Sequence, residues 1–161
     1  RSEEKPKIAA DSADVHKKAS RFVAAALLFG APYAEGVNID DIPFADDVHR
    51  LLANYVKSKA LLGERITLSE IFAFFEEGTP EYEELCRVLD LNDGENLNGE
   101  VQQRYFSDCM RRLQADRITK AIDEVKRRYA ATDDVAEKRR AAEVLQQLIE
   151  QKEKLKSGDI R

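Results

Sequence analysis

GEVQQRYFSDCMRRLQADRITKAIDEVKRRYA, residues 99–130, contains no Pro and no Gly after its first residue, and neither occurs again until Gly158. Thirty-two residues without a breaker predict one helix roughly 48 Å long at ~1.5 Å per residue. Val101, Tyr105, Cys109 and Leu113, with Phe106 beside them, define one apolar face. Ile118, Ile122, Val125 and Tyr129 define another, about 150° round the axis at ~100° per residue. The change of face falls at Gln114, Ala115, Asp116 and Arg117. A rod that changes its dry side midway serves two separate cores, and these four residues are read as an exposed hinge between them.

Downstream, Thr132-Asp133-Asp134 is a short turn with capping residues, which permits only an antiparallel return. A last helix from Asp133 to Lys156 therefore folds back on the second half of the rod. Upstream, residues 1–11 (RSEEKPKIAAD) are polar, carry a Pro and show no periodicity, so they read as a flexible linker. A helix starts near Ser12, with Val15, Ala19, Phe22, Val23, Ala26 and Leu27 on one stripe, and stops at Gly30 and Pro32. Residues 33–44 are irregular. The next helix, about Ala45 to Leu62, turns Phe44, Val48, Leu51, Leu52, Tyr55 and Val56 inward and closes at Gly63. Thr67-Leu68-Ser69-Glu70 reads as a capping box in which Thr67 and Glu70 satisfy each other's backbone donors, followed by Ile71, Phe74 and Phe75. Thr79-Pro80 opens a further helix with Tyr82, Leu85, Cys86 and Leu89 inside. The expected fold is all-α. A bundle of about five short helices (12–113) is followed by a helical hairpin (114–157) and a tail (158–161), with the long helix 99–130 bridging both.

Composition narrows the function classes. The chain has 161 residues, 43% hydrophobic and 35% charged, which is enough apolar surface for a packed core. The longest apolar run, Phe22 to Phe29, is far below the ~18 residues needed to cross a bilayer. The chain opens on Arg1 with no initiator Met, which leads us to expect a piece of a longer protein. Cys86 and Cys109 match no metal spacing and read as reduced core residues, as in a cytosol. The net charge of −5 divides unevenly. Residues 1–98 hold 11 Lys/Arg against 19 Asp/Glu (−8), and residues 99–161 hold 15 against 12 (+3).

Signals for catalysis are sparse. His16 and His49 stand near carboxylates, Asp46 and Asp47 in the case of His49, without HExxH or CxxC spacing, so they read as helix-surface or cap-region residues. No Gly-rich phosphate loop or nucleophile elbow occurs. Glu76, Glu77, Glu81, Glu83 and Glu84 lack the oxygen spacing of a calcium loop and read as a solvated charge run. Arg111-Arg112, Lys126-Arg127-Arg128 and Lys138-Arg139-Arg140 alternate with acids on the same helices, as helical ion pairs do. Little or no direct nucleic-acid binding is expected, and no catalytic residue, metal or cofactor. On the last helix, Val135, Ala142, Leu145 and Ile149 form one stripe, with Ala141, Val144, Leu148 and Leu155 beside it. Together they span ~160°, more than one antiparallel neighbour can dry, which points to a partner helix.

Phe22-Val-Ala-Ala-Ala-Leu-Leu28, then Ile42-Pro43-Phe44 with His49-Arg50-Leu51-Leu52, resembles the start of the C-terminal domain of bacterial DnaG-type primases. Tyr105-Phe106-Ser107-Asp108-Cys109-Met110-Arg111-Arg112-Leu113 and the charged Leu145-to-Lys156 helix resemble its end. The resemblance covers about residues 20–156 through degenerate helical motifs in a fixed order. It implies a non-catalytic helical bundle with a hairpin that docks on the N-terminal collar of the hexameric replicative helicase. The parent primase would carry its zinc-binding and RNA-synthesis domains upstream, and Arg1 to Asp11 would be the link to them. The domain would be monomeric alone and cytoplasmic, at the bacterial replication fork, with no membrane contact. Under that reading Val144, Leu148, Gln151 and Leu155 supply contact, while Arg140 and Lys152 guide register by charge. The acidic stretch Glu76–Glu84 departs from many members of the family. Three alternatives stand beside this one. The N-terminal domain of the helicase itself shares the F…HR…L element and would form rings, although a helicase would continue into an ATPase domain. The others are a helical nucleic-acid-binding module and a small helical-bundle enzyme or metal protein.

Overall fold

The computed structural model describes residues 4–92, 97 and 99–157, with side chains from Ala13 onward. Among the described residues the chain is all-α, without a strand. The helices are α1 (Glu4–Leu28), α2 (Asp47–Leu62), α3 (Leu68–Ala73), α4 (Pro80–Asp90), α5 (Glu100–Ala131) and α6 (Val135–Ser157). Two single 3-10 turns, Pro32–Ala34 and Ile39–Asp41, occupy the irregular stretch between α1 and α2. The chain divides into two compact units, one up to Leu113 and the other from Gln114.

Helix α1 begins at Glu4, so it takes in most of the segment expected as a flexible linker. Pro6 is no obstacle there, because it sits in the first turn, where the missing N–H would have had no partner. Ala9 and Ala10 then favour helix. From Phe22 to Leu28 every residue is buried, whereas Val15 of the expected stripe is exposed. A helix dry on all sides is an interior helix, and α1 accordingly feeds two clusters. On one side Phe22, Val23, Ala26 and Leu27 join Ile42, Leu97, Phe106, Cys109 and Leu113. On the other, Ala25 and Leu28 meet Val48, Leu52 and Tyr55 of α2, Ile71 of α3, and Leu85 and Val88 of α4.

Element ends follow local chemistry. Asp46 caps α2, its Oδ1 accepting the Val48 N–H at 2.7 Å, and Gly63 ends it with a left-handed φ of 66°. Thr79 caps α4 through the Tyr82 N–H, with Pro80 in the first turn. The capping box at α3 forms differently from the expectation. Thr67 Oγ1 donates to Glu70 Oε1 at 2.8 Å, side chain to side chain, and the Thr67 N–H goes to Tyr55 Oη at 3.1 Å. The buried line on the first half of α5 is Phe106, Cys109 and Leu113. Val101 is 71% exposed, and Tyr105 lies half out with its edge on Phe22.

In the second unit, Ile118 and Ile122 of α5 pack with Leu155 of α6, and Ala115, Leu145 and Leu148 close the cluster. At the turn, the Lys138 ammonium lies 4.5 Å from the centre of the Tyr129 ring and donates to the Tyr129 carbonyl at 3.2 Å. Ile118 and Ile122, just past the middle of α5, thus meet late α6, and the end of α5 meets early α6, so the two segments run antiparallel.

Leu52 has no exposed surface, so Leu52→Ala should lower the unfolding free energy by about 2–5 kcal/mol. Leu61→Ala, at a position 78% exposed, should stay within about 0.5 kcal/mol. Urea titration followed by circular dichroism measures both.

Candidate functional site

Two places concentrate chemistry, one inside the first unit and one on the surface of the second. The interior one is a polar row crossing α1, α2 and α4. His49 is fully buried, with Nδ1 2.7 Å from Ser20 Oγ and Nε2 2.7 Å from Glu84 Oε2. Arg21 grips the same carboxylate with both arms, Nε to Oε2 at 2.6 Å and a terminal nitrogen to Oε1 at 2.9 Å. Ser20 Oγ accepts the Ala45 N–H at 3.0 Å, which leaves its hydroxyl proton for Nδ1. Neutral His49 then carries its proton on Nε2 and donates it to Glu84, so every polar atom in the row is satisfied. Lys17 stands 3.7 Å from Glu84 and 3.5 Å from Asp46, and Arg87 lies 3.5 Å from Glu84.

This arrangement corrects two sequence expectations. His49 is an interior residue rather than a surface or cap histidine, and Glu84 is buried rather than part of a solvated run. The signal was present in the spacing. Glu84 lies one turn before Val88 and beside Leu85, on the dry stripe of α4, and Ser20-Arg21 interrupts an otherwise apolar face of α1.

The electrostatics follow from burial and pairing. Burial pushes the Glu84 carboxyl up, but the hydrogen bonds from Arg21 and His49 and the Arg21 charge outweigh it and hold it down at about 2. His49 is lowered, because burial of the imidazolium outweighs the attraction of Glu84. On the other cluster, burial raises the Cys109 thiol to about 11, which keeps it protonated and unreactive at neutral pH.

A serine, a histidine and a carboxylate in sequence have the connectivity of a nucleophile relay. Here Ser20 and His49 have no exposed surface and Glu84 only 2%, so no substrate reaches the hydroxyl. Asp46, His49 and Glu84 also bring one donor atom each within 4.8 Å of one another. Both His49 nitrogens and both Glu84 oxygens are already engaged, however, and the neighbouring Arg21, Lys17 and Arg87 cations disfavour a further one. The row therefore acts as a structural clasp.

The surface place is the α5–α6 hairpin. An open groove of about 530 Å³ is lined by Val125, Ala131, Ala141 and Val144 together with Arg128, Arg140, Thr132 and Glu137. Of the residues expected to meet a partner, Arg140, Val144 and Gln151 are exposed. Leu148 and Lys152 are half-buried, and Leu148 packs into the hairpin's own cluster. Leu155, expected as a contact for a partner, is 4% exposed and belongs to the hairpin core, because it faces Ile118 and Ile122. Ile149 (46% exposed) and Val135 (71%) are apolar surface instead. The four residues read as an exposed hinge lie within unbroken helix. Gln114, Ala115 and Asp116 are half-buried, with Ala115 packed against the hairpin cluster, and only Arg117 is exposed.

Glu84→Gln keeps the shape but removes the charge facing Arg21, and should cost about 3–5 kcal/mol in urea titration. The wild-type protein should lose stability on acidification in two stages. His49 has a folded value below its ordinary 6.5, so the unfolded chain takes up that proton first and stability falls as pH drops below 6.5. Glu84, ordinarily 4.5 and here about 2, adds a second loss as pH falls from 4.5 towards 2, and Glu84→Gln should show a smaller second stage. Comparison with known proteins finds no matching family model, no matching curated protein and no matching solved structure.

Proposed function

We propose that the chain is a helicase-interaction module of a bacterial DnaG-type primase, acting by docking rather than by catalysis. The observation that carries the reading is the hairpin surface. After α5 and α6 close their shared cluster, Val144 stays exposed and lines a groove with Arg128, Glu137 and Arg140, while Val135 and Ile149 stay exposed on the other flank of α6 at ~100° per residue. An open groove that joins apolar side chains to two arginines and one glutamate suits a helix-to-helix contact with a partner of mixed apolar and charged surface. The order of motifs from Phe22 to the α6 helix supplies the partner's identity, the N-terminal collar of the hexameric replicative helicase. The RNA-synthesis chemistry belongs to other domains of the parent primase, and the module's place is the cytoplasmic replication fork. The exposed members of the hairpin, Arg140, Val144 and Gln151, together with Ile149, replace Leu155 as the contact residues.

Titration calorimetry of the chain against the N-terminal domain of a bacterial replicative helicase tests the proposal. Binding is expected, and Val144→Glu should weaken it about tenfold or more while circular dichroism stays unchanged. Absence of binding, or binding indifferent to Val144→Glu and Ile149→Glu, overturns it. Sedimentation of the chain alone should give a monomer, and a closed ring would point to the helicase collar itself.

A further inference from the structure

The ten residues from Leu61 to Glu70, where α2 ends and α3 begins, are all exposed. Four of them are large aliphatics, with Leu61 78%, Leu62 69%, Leu68 51% and Ile66 37% exposed, and Phe74 just past α3 adds a ring 50% exposed. The corner is firmly built. Gly63 turns the chain, the Tyr55 hydroxyl takes the Thr67 N–H, and Lys59 bridges Glu64 and Glu70 at 2.9 and 3.1 Å. Phe74 rests its ring on Tyr55 at 5.5 Å between centroids. These apolar groups are held in water by a closed hydrogen-bonded frame, and apolar surface concentrated in this way marks an interaction site.

Charge selects the occupant. Directly after Phe74-Phe75 come Glu76 and Glu77, then Glu81 in the first turn of α4, all exposed and without an ion pair among the described residues. Glu64 and Glu70 are matched by Lys59, and Arg65 in the same corner makes no ion pair among the described residues. An acidic rim repels nucleic-acid phosphates and anionic lipid headgroups. Apolar side chains beside unmatched carboxylates fit an amphipathic helix with lysines or arginines flanking its apolar stripe. We propose that the α2–α3 corner, through Leu62, Leu68 and Phe74 with Glu76 and Glu77, receives a basic amphipathic helix of another protein. The surface lies in the first unit and uses none of the hairpin residues, so it stands or falls independently of the helicase reading.

The test is an amide NMR titration of the full chain with a synthetic leucine–lysine amphipathic helix, about five turns long, and with its leucine–glutamate counterpart. The lysine peptide should shift amides between Leu61 and Glu77, and the glutamate peptide should not. Glu76→Lys with Glu77→Lys, and separately Leu62→Ser with Leu68→Ser, should each weaken the interaction about tenfold. Both pairs are exposed, so the thermal midpoint should not move. Shifts confined to other regions, equal response to both peptides, or weakening by the charge variant alone would overturn the proposal. The last result would mean a diffuse electrostatic attraction with no apolar seat.

Discussion

Glu84 carries a negative charge almost wholly out of water, and the way that charge is met determines how three helices assemble. Its carboxylate is gripped by Arg21 of α1 and by His49 of α2, and His49 is fixed in turn by Ser20, whose oxygen holds the Ala45 N–H just ahead of α2. An unpaired charge in that position costs several kcal/mol. Moving α4 by a single residue would carry Glu84 ~100° round its axis, away from both partners. The same clasp therefore specifies both register and rotation. Hydrophobic packing would specify them poorly here, because it is non-directional and because the surface that α1 offers includes Ala24, Ala25 and Ala26, three small and nearly interchangeable shapes.

Those alanines have their own purpose. A helix buried on every side must let neighbours approach on every side, and short side chains allow the closer end of the usual 8–10 Å interaxial range. The large groups that complete each cluster come from the neighbours: Leu52, Ile71 and Leu85 on one side, Ile42, Phe106 and Leu113 on the other. The bundle is therefore organised around α1, with small residues at the centre and large residues arriving from outside. The clasp lies at the edge of this dry region, where Arg21 keeps part of its side chain in water and so avoids the full desolvation cost.

The all-α character was legible because breakers are few and placed at helix ends. Gly63, Thr79-Pro80 and the Thr132-Asp133-Asp134 turn each act as local chemistry demands. What was not legible depends on partners distant in sequence. His49 and Glu84 are separated by 35 residues and Arg21 and Glu84 by 63. No local pattern reveals that a glutamate in an acidic run has a guanidinium waiting on another helix. The early start of α1 was missed for the opposite reason. Polarity and one proline suggested a tether, although a proline in a first turn is compatible with helix. The capping box failed as a local rule because Tyr55, from α2, took the N–H that Glu70 was expected to take.

The apolar residues of α6 show most clearly how geometry refines a pattern. On α6, Ala141, Leu145, Leu148, Lys152 and Leu155 recur at alternating steps of four and three, the 3.5-residue repeat of a two-helix seam. All five are buried or half-buried. Reading the apolar residues as one broad face hides this seam, because Val144 and Ile149 lie on its two flanks and look like members of it. Once the seam is assigned, Leu155 and Leu148 are accounted for by the hairpin's own stability, and Val135, Val144 and Ile149 are not. Leaving them in water gains the hairpin nothing, and exposed positions of this kind tolerate polar replacement with little change in stability. Apolar residues retained where the fold does not require them are where a requirement from outside the chain can be expressed. The seam thus separates the residues that the hairpin's own folding requires from those it leaves in water.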